Sequence, residues 1–390
     1  WTSRIIMSGF KLKLFKDGLR RGRVTNIHGS LSTPFFMPDA TRAFVKANTS
    51  ADAKRAGTEV MVVNTFHLYL QPGQKIIKRA GGVHNFMDWQ GPLLSDSGGF
   101  QVFSLIHQGK NLGKINDDKV IFKSPIDGSR HEFSPEKSIQ IQFDLGVDMM
   151  VCLDDCPPND WPRADLEKAV KRSLAWAARC KQEYLKQIKR RKITEDNRPL
   201  LFAVVQGGDY EDLRRESARQ LLAIGFDGYG FGARPVDKDG NFLAETIFKT
   251  ASFLPKDSLR FALGLGMPED IYRCYLMGWD MFDCVIPTRE GRHGKLFFFK
   301  PGFRGFTKRK TKPGPVVSYP DFYRTKNINN AAFAQDFSPI NADSDLPELR
   351  RYSKAFLHHL FRLDEPLGQK LASLNNLEFY NRLLRELRRL

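Results

Sequence analysis

From Val45 onward the chain repeats one rhythm: a short apolar run that stops abruptly in polar or glycine-rich residues, followed by a longer amphipathic stretch. Val60 to Val63 ends in Asn64-Thr65-Phe66-His67, Pro92 to Leu94 in Ser95-Asp96-Ser97-Gly98-Gly99, and Met149 to Leu153 in Asp154-Asp155. Leu201 to Val205 runs into Gln206-Gly207-Gly208, Gly228 to Phe231 into Gly232, Phe261 to Leu265 into Gly266, and Met281 to Ile286 surrounds Asp283. Near-continuous apolar runs, rather than alternating ones, are what parallel strands buried on both faces look like. The intervening stretches read as helices: Leu166, Val170, Leu174, Ala177, Leu185 and Ile188 recur at helical spacing behind Pro162, and Leu213 to Leu222 repeats the pattern. Strand and helix alternating through about eight units predict an α/β fold, a (β/α)8 TIM barrel whose site lies on the C-terminal rim. A doubly wound sheet is the alternative, but it would gather its chemistry at one crevice instead of at many strand ends.

Several segments stand outside the rhythm. Before residue 50 the pattern is short and β-like, with alternation from Phe10 to Phe15, a basic turn at Arg20 to Arg23 and a proline-bearing run from Leu31 to Met37; a small antiparallel layer is expected there. Ile106 to Glu136, with turn signals at Gly113 and Asp127-Gly128, predicts a β-hairpin insertion. Lys295 to Lys312 interleaves Phe297, Phe298, Phe299, Phe303 and Phe306 with Lys and Arg, and reads either as an edge strand with a solvated loop or as a strip facing nucleic acid. Leu346 to Leu363 and Lys370 to Leu390 predict two closing helices. The expected organisation is a barrel over 7–294, carrying the N-terminal layer and an insertion at 106–136, and a nucleic-acid-facing or closing helical subdomain over 295–390. No internal repeat is evident.

Charge changes the picture more than composition does. The 390 residues carry 61 Lys and Arg against 44 Asp and Glu, a net +17, which calls for a polyanionic partner: nucleic acid first, an anionic membrane surface second. No apolar run approaches the roughly 20 residues of a membrane span, and no signal peptide precedes Met7; residues 1–6 are given no structural role. The five cysteines, Cys152, Cys156, Cys180, Cys274 and Cys284, form neither a disulfide framework nor a C-x-x-C pattern, so a reducing cytoplasm is the expected setting.

The chemistry centres on Gly278 to Gly294, GWDMFDCVIPTREGRHG. Asp283 interrupts an apolar run that Pro287 stops, and the polar tail reads as the loop after a strand. An ionised carboxylate inside such a run costs several kcal/mol unless it is paired or sits at a strand end where chemistry needs it. Taken alone, a buried Asp that ties down a loop explains it equally well. Arg289 and Arg292 follow in a Gly-bounded segment suited to holding phosphates. A barrel would bring Asp96 and Asp283 to one rim, where a carboxylate pair can divide nucleophilic from acid–base work at an anomeric carbon. Ser97-Gly98-Gly99-Phe100 lets backbone approach a flat ligand and adds an aromatic face, while Asp154 and the Gln206-Gly207-Gly208 turn offer groups that read a nucleobase edge.

Together these motifs resemble the bacterial-type tRNA-guanine transglycosylases, the queuine tRNA-ribosyltransferase family, from about Phe10 to Leu390. The resemblance rests on NTFHLYLQPG at 64–73, SDSGGFQVFSL at 95–105, LDDC at 153–156, VVQGG at 204–208, GFDGYGFG at 225–232, LGLGMPED at 263–270 and DMFDCVIPTREGRHG at 280–294. It implies a barrel that removes guanine from the wobble position of a tRNA anticodon and inserts a 7-deazaguanine. By motif match it implies Asp283 as nucleophile on the ribose anomeric carbon and Asp96 as general acid/base. Ser97 belongs to the same base pocket, Phe100 and Leu263 would stack on the two faces of the base, and Asp154, Gln206 and the backbone of Gly232 would read its polar edge. Arg289 and Arg292 match positions that hold anticodon phosphates. A homodimer is implied through Tyr352, Phe356 and His359.

Two departures from the family pattern bear on function. Bacterial relatives carry Gly-Gly-Leu-Ala-Val-Gly where this chain has Gly232-Ala233-Arg234-Pro235-Val236-Asp237; Val236 resembles users of 7-aminomethyl-7-deazaguanine, whereas queuine users tend to have Gly there, and Arg234 is an awkward neighbour for a cationic substituent if it faces the pocket. The family's structural zinc, held by Cys-x-Cys-x-x-Cys and a following His, falls on Ser344, Leu346, Leu349 and Asn375, so no metal is expected. A queuine-using enzyme, a DNA 7-deazaguanine transglycosylase and a non-catalytic tRNA-binding subunit are the alternatives. A barrel glycoside hydrolase would share the Asp pair but has no need of the +17 charge.

Overall fold

The computed structural model describes residues 9–14, 19–107, 113–307 and 314–390. Residues 1–6, the end of the Phe10–Phe15 alternation and the most basic part of the Lys295–Lys312 strip lie outside the described residues. Eight parallel strands carry the fold: β1 (Phe35–Pro38), β2 (Met61–Asn64), β3 (Leu93–Asp96), β4 (Met149–Val151), β5 (Leu200–Val205), β6 (Gly228–Phe231), β7 (Leu259–Ala262) and β8 (Met281–Cys284). They pair in chain order, β8 pairs with β1, and a parallel bridge from Asp39 to Val62, with Ala40 N donating to Val62 O at 2.8 Å, joins β1 to β2 and closes the barrel.

Side-chain parity along each strand builds the interior. Phe35 and Met37 of β1, Val62 of β2, Leu94 of β3, Met149 and Val151 of β4, Leu200, Phe202 and Val204 of β5, Leu259 and Phe261 of β7 and Met281 of β8 fill one buried lumen cluster. Their neighbours of opposite parity, among them Phe36, Ala203, Val205, Phe231 and Phe282, pack outward against the helices. Val24 and Leu31 of the N-terminal antiparallel layer join the lumen cluster and plug it from below.

The lower rim repeats one device three times. Asp148, Asp227 and Asp280 each stand just ahead of β4, β6 and β8, and each carboxylate accepts a backbone N–H from the first or second residue of the preceding strand: Leu93 N at 2.8 Å, Leu201 N at 2.8 Å and Arg260 N at 3.0 Å. The same aspartates return their own N–H to the carbonyl of that residue, 3.0 Å in all three cases. Each carboxylate has further partners. Asp280 holds Arg20 of the N-terminal layer through Nε and Nη2, Asp227 holds Arg198, and Asp148 takes His28 Nδ1 at 2.7 Å and His84 Nε2 at 3.2 Å. The three aspartates share the local pattern Gly-x-Asp (Gly146, Gly225, Gly278).

Four expectations need correction. The run Leu31 to Met37 is not wholly part of the layer: Gly29–Ser32 ends it and Phe35–Pro38 is β1. The insertion is a three-stranded antiparallel sheet (Gly113–Ile115, Val120–Lys123, Arg130–Phe133), a strand more than a hairpin. The tail after Asp283 is a helix, Ile286–Arg292, because a proline in the first turn has no needed N–H to lose and starts a helix as readily as it stops a strand. Leu346 to Leu363 divides into Pro347–Arg351 and Lys354–Arg362, the second capped by Ser353 Oγ on Phe356 N. The last helix, Pro366–Arg388, packs on the Ile286–Arg292 helix, with Asn376 Nδ2 on Pro287 O and Tyr380 OH on Gly266 O.

Candidate active site

One step above the lumen core, the same strand parity changes from apolar to polar. The lumen-facing positions next in line are Asp39 after Met37, Asn64 after Val62, Asp96 after Leu94, Gln206 after Val204, Gly232 in the row Gly228, Gly230, Gly232, Leu263 after Phe261 and Asp283 after Met281. Only β4 breaks the alternation: Leu153 packs in the outer core, and Asp154 reaches Gln206 Nε2 at 2.7 Å. Its neighbour Asp155 turns to the helix side and pairs with Arg172 at 2.5 Å. Two consecutive aspartates therefore meet opposite fates, one paired with a cation and one not.

The unpaired carboxylates define the site. Asp96 accepts Asn64 Nδ2 at 3.0 Å and the N–H groups of Ser97 and Gly98, yet burial pushes its pKa up to about 6. Asn64 is itself oriented, sharing Nδ2 with Gln101 Oε1 at 3.0 Å and accepting His67 N at 3.2 Å. Asp283 accepts Gly264 N at 2.7 Å; burial, with smaller contributions from Asp96 and Asp39, pushes it up to about 7. Burial also pushes Asp154 to about 7, against the hydrogen bond from Gln206. None of Asp39, Asp96, Asp154 and Asp283 has an ion pair among the described residues.

The remaining groups surround these. Ser97 is buried, its Oγ accepting Gly99 N at 3.2 Å, and Phe100 stands 45% exposed at the start of the Gly99–His107 helix. A Cβ on Gly99 would lie 2.7 Å from Asp154 Oδ1 and one on Gly232 would overlap the Gln206 amide, so both turns need glycine to let backbone stand this close to the polar groups. Leu263 packs on the edge of the lumen cluster. Arg289, half exposed, contacts Glu290, and Arg292 has a buried Nε with no hydrogen-bond partner among the described residues; both ride the helix that directly follows β8. Arg234 is exposed, and its carbonyl accepts Asn159 Nδ2 at 3.1 Å.

Sequence reasoning overlooked two residues here. Arg214 is fully buried without an ion pair among the described residues; it donates to Gly208 O at 2.6 Å, Val205 O at 3.3 Å and Gly232 O at 3.1 Å, and lies over the Phe231 ring. It therefore locks the Gln206–Gly208 and Gly232 turns to each other, and burial holds its pKa down to about 10. Its charge within Glu211–Ile224 looks like any solvated helix residue, so nothing in the sequence marks it. The other is Asp39, hidden because β1 was read as part of the antiparallel layer.

The expected zinc positions are buried and differently employed. Ser344 Oγ donates to Glu378 Oε2 at 2.5 Å, Asn375 donates to Phe297 O at 3.0 Å and accepts Asn341 Nδ2 at 3.0 Å, and Leu346 and Leu349 are core residues. A hydroxyl, an amide and two alkyl chains do not suit a thiolate- and imidazole-binding ion. Among the described residues one group joins three metal-type side chains, His28, His84 and Asp148 at the lower rim, where both carboxylate oxygens already accept hydrogen bonds. No helix among the described residues is long and apolar enough to cross a membrane.

A closed parallel barrel with half-buried carboxylates at the C-terminal ends of its strands, none of them ion-paired among the described residues, is the arrangement of a (β/α)8-barrel enzyme. The chain matches the family described as queuine tRNA-ribosyltransferase over residues 16–390. It is 39% identical to the queuine tRNA-ribosyltransferase of Thermoanaerobacter pseudethanolicus over 386 residues, 98% of this chain and 93% of the relative. It is also 39% identical to proteins of the same name from Staphylococcus aureus over 373 residues, 96% of this chain and 89% of theirs. The protein belongs to the queuine tRNA-ribosyltransferase family.

Proposed function

We propose that the protein exchanges the wobble guanine of a tRNA anticodon for a 7-deazaguanine base through a covalent Asp283–ribosyl intermediate. The observation that carries this reading is the rim itself: two carboxylates, Asp96 and Asp283, on strands separated by β1 and β2, both half-buried and both without an ion pair among the described residues. Asp283, ionised, attacks the anomeric carbon; a C–O bond forms as the glycosidic C–N bond breaks, and protonated Asp96 delivers its proton to the departing guanine. The incoming base then returns a proton to Asp96 and attacks the same carbon from the opposite face, releasing Asp283. Two inversions retain configuration. Phe100 and Leu263 stack on the base, with Ser97 beside it, while Asp154, Gln206 and the Gly232 backbone read its edge.

Arg289 and Arg292 are proposed to hold anticodon phosphates, which accords with the +17 charge. Val236 and the exposed side chain of Arg234 favour 7-aminomethyl-7-deazaguanine as the incoming base, with queuine the alternative. The decisive experiment incubates the protein with labelled guanine and either tRNA or duplex DNA. Label in tRNA and a denaturant-stable protein–RNA adduct are expected; label in DNA alone would overturn the reading.

Two further features belong to it. A homodimer is proposed through Tyr352, Phe356 and His359: the first two rings stack at 5.0 Å, and Tyr352 and His359 are exposed. A monomeric mass by light scattering at micromolar concentration, with activity intact, would contradict it. The C-terminal segment is proposed to need no metal, so chelators should leave the thermal midpoint in place. One equivalent of zinc in dialysed protein, retained in His84→Ala, would refute this; zinc lost in that variant would place the ion at the lower rim instead.

A further inference from the structure

Asp39 is the lumen-facing residue that follows Phe35 and Met37 on β1, between Asp283 of β8 and Asn64 of β2. Its carboxylate is braced on one oxygen only: Oδ1 accepts Thr41 N at 3.1 Å and the Thr41 hydroxyl, while Oδ2 has no hydrogen bond or ion pair among the described residues. Thr41 thus fixes the group with its second oxygen available. Burial raises its pKa, opposed by Thr41, Lys46 and Arg292, and its charge in turn raises those of Asp96 and Asp283, so it shares their space.

Going round the rim, the groups suited to a base stand on β3 to β7: Asp96, Ser97, Phe100, Asp154, Gln206, Gly232 and Leu263. The remaining arc, β8, β1 and β2, carries Asp283, Asp39 and Asn64. A base held on the first arc with its anomeric carbon against Asp283 directs its sugar into the second. We propose that Asp39 is a specificity-determining residue whose free carboxylate oxygen accepts a hydrogen bond from a ribose 2′-hydroxyl, selecting RNA over DNA at the site. The inference rests on Asp283 being the nucleophile. The hydroxyl can come from the wobble nucleotide or from its 5′ neighbour, one phosphate away.

A hydrogen bond to a charged acceptor corresponds to a factor of roughly ten to a hundred. The test compares kcat/KM for an anticodon stem-loop RNA with that for the same RNA carrying one 2′-deoxy sugar, at the wobble nucleotide or at its 5′ neighbour. Wild type should lose about ten- to a hundredfold on one of the two, and Asp39→Ala should treat the deoxy and ribo forms of that RNA alike. Any intrinsic effect of deoxygenation on the oxocarbenium-like transition state cancels in the ratio of wild type to variant. A wild-type enzyme indifferent to both deoxy substitutions would overturn the proposal without any variant. So would an Asp39→Ala enzyme that keeps the wild-type ratio. The adduct trapped on all-ribose RNA tests the underlying reading separately: its absence would sink the nucleophile assignment, whereas its presence with equal ribo and deoxy rates would sink only the role of Asp39.

Discussion

The two ends of the barrel use the same residue to opposite effect. At the lower rim Asp148, Asp227 and Asp280 each accept an N–H from the start of the preceding strand and each hold a cation or imidazole, and the hydrogen bonds from His28 and His84 keep Asp148 below the usual carboxylate range despite its burial. At the upper rim Asp39, Asp96, Asp154 and Asp283 are half-buried, accept hydrogen bonds only from neutral donors among the described residues, and are pushed up by desolvation. Both ends hold their carboxylates at least partly out of water; partnership differs. A carboxylate with its charge matched stabilises a fold, and one left unmatched stores the reactivity that a nucleophile or acid–base group requires.

The largest effect that could break this contrast is on catalysis. Asp283→Asn should lower base exchange by about 10⁴ or more while tRNA binding persists, since only the covalent step is lost; single-turnover transfer of labelled guanine would measure it, and an active Asn variant would remove Asp283 from the nucleophile role. Asp280→Asn should do the reverse. It strands the buried Arg20 guanidinium, so denaturant unfolding should show a loss of about 3–5 kcal/mol, with exchange per folded molecule unchanged. If that variant retains wild-type stability, the lower rim is not the brace described here.

Titration sharpens the comparison further. Asp148 has a depressed folded pKa, so its contribution is present above the unfolded carboxylate value and disappears as pH falls through the folded one. Asp96, at about 6, and Asp154 and Asp283, at about 7, are raised; their contribution is present below the unfolded value and lost as pH rises towards 6 and 7. Exchange should therefore follow a bell with its maximum between about 6 and 7, because Asp283 must be ionised while Asp96 keeps its proton, and it should fall above about 7, where the fold also gives up stability. Asp283→Asn, inactive, should be more stable than wild type at pH 8 by about 1–3 kcal/mol and indistinguishable from it near pH 4. Thermal melts at the two pH values decide this, and a variant destabilised at both would mean that the site is not held at a cost. The smallest effect lies outside the barrel: Arg289→Ala should flatten the salt dependence of tRNA affinity by about one unit of slope, leaving melting unchanged.

Much of this was legible in the chain. Seven barrel strands and the polar residues at their ends could be read from the apolar runs, because a parallel strand buried on both faces must be apolar until it reaches the rim. Asp96, Asp154, Gln206 and Asp283 stand out for the same reason. Asp39 does not: β1 spans four residues, Phe35–Pro38, next to a genuinely antiparallel layer, and a run so short carries no pattern of its own. The Gly-x-Asp pattern was present in the letters, but its meaning depends on strands being neighbours, which a list of residues does not state.

What the sequence determined by itself was the periodicity: which positions are apolar, where each run ends, and hence a parallel barrel with its chemistry on one rim. What only the tertiary structure decided was partnership. Asp154 and Asp155 are adjacent and identical in kind, yet one faces Gln206 and the other Arg172. Arg20 meets Asp280 across 260 residues, and Arg214 meets two turns instead of solvent. The reason is physical: hydrophobic burial follows from local composition, whereas the ionisation of a buried carboxylate depends on which charges and donors stand within a few ångströms of it, and closure of the barrel alone brings those together.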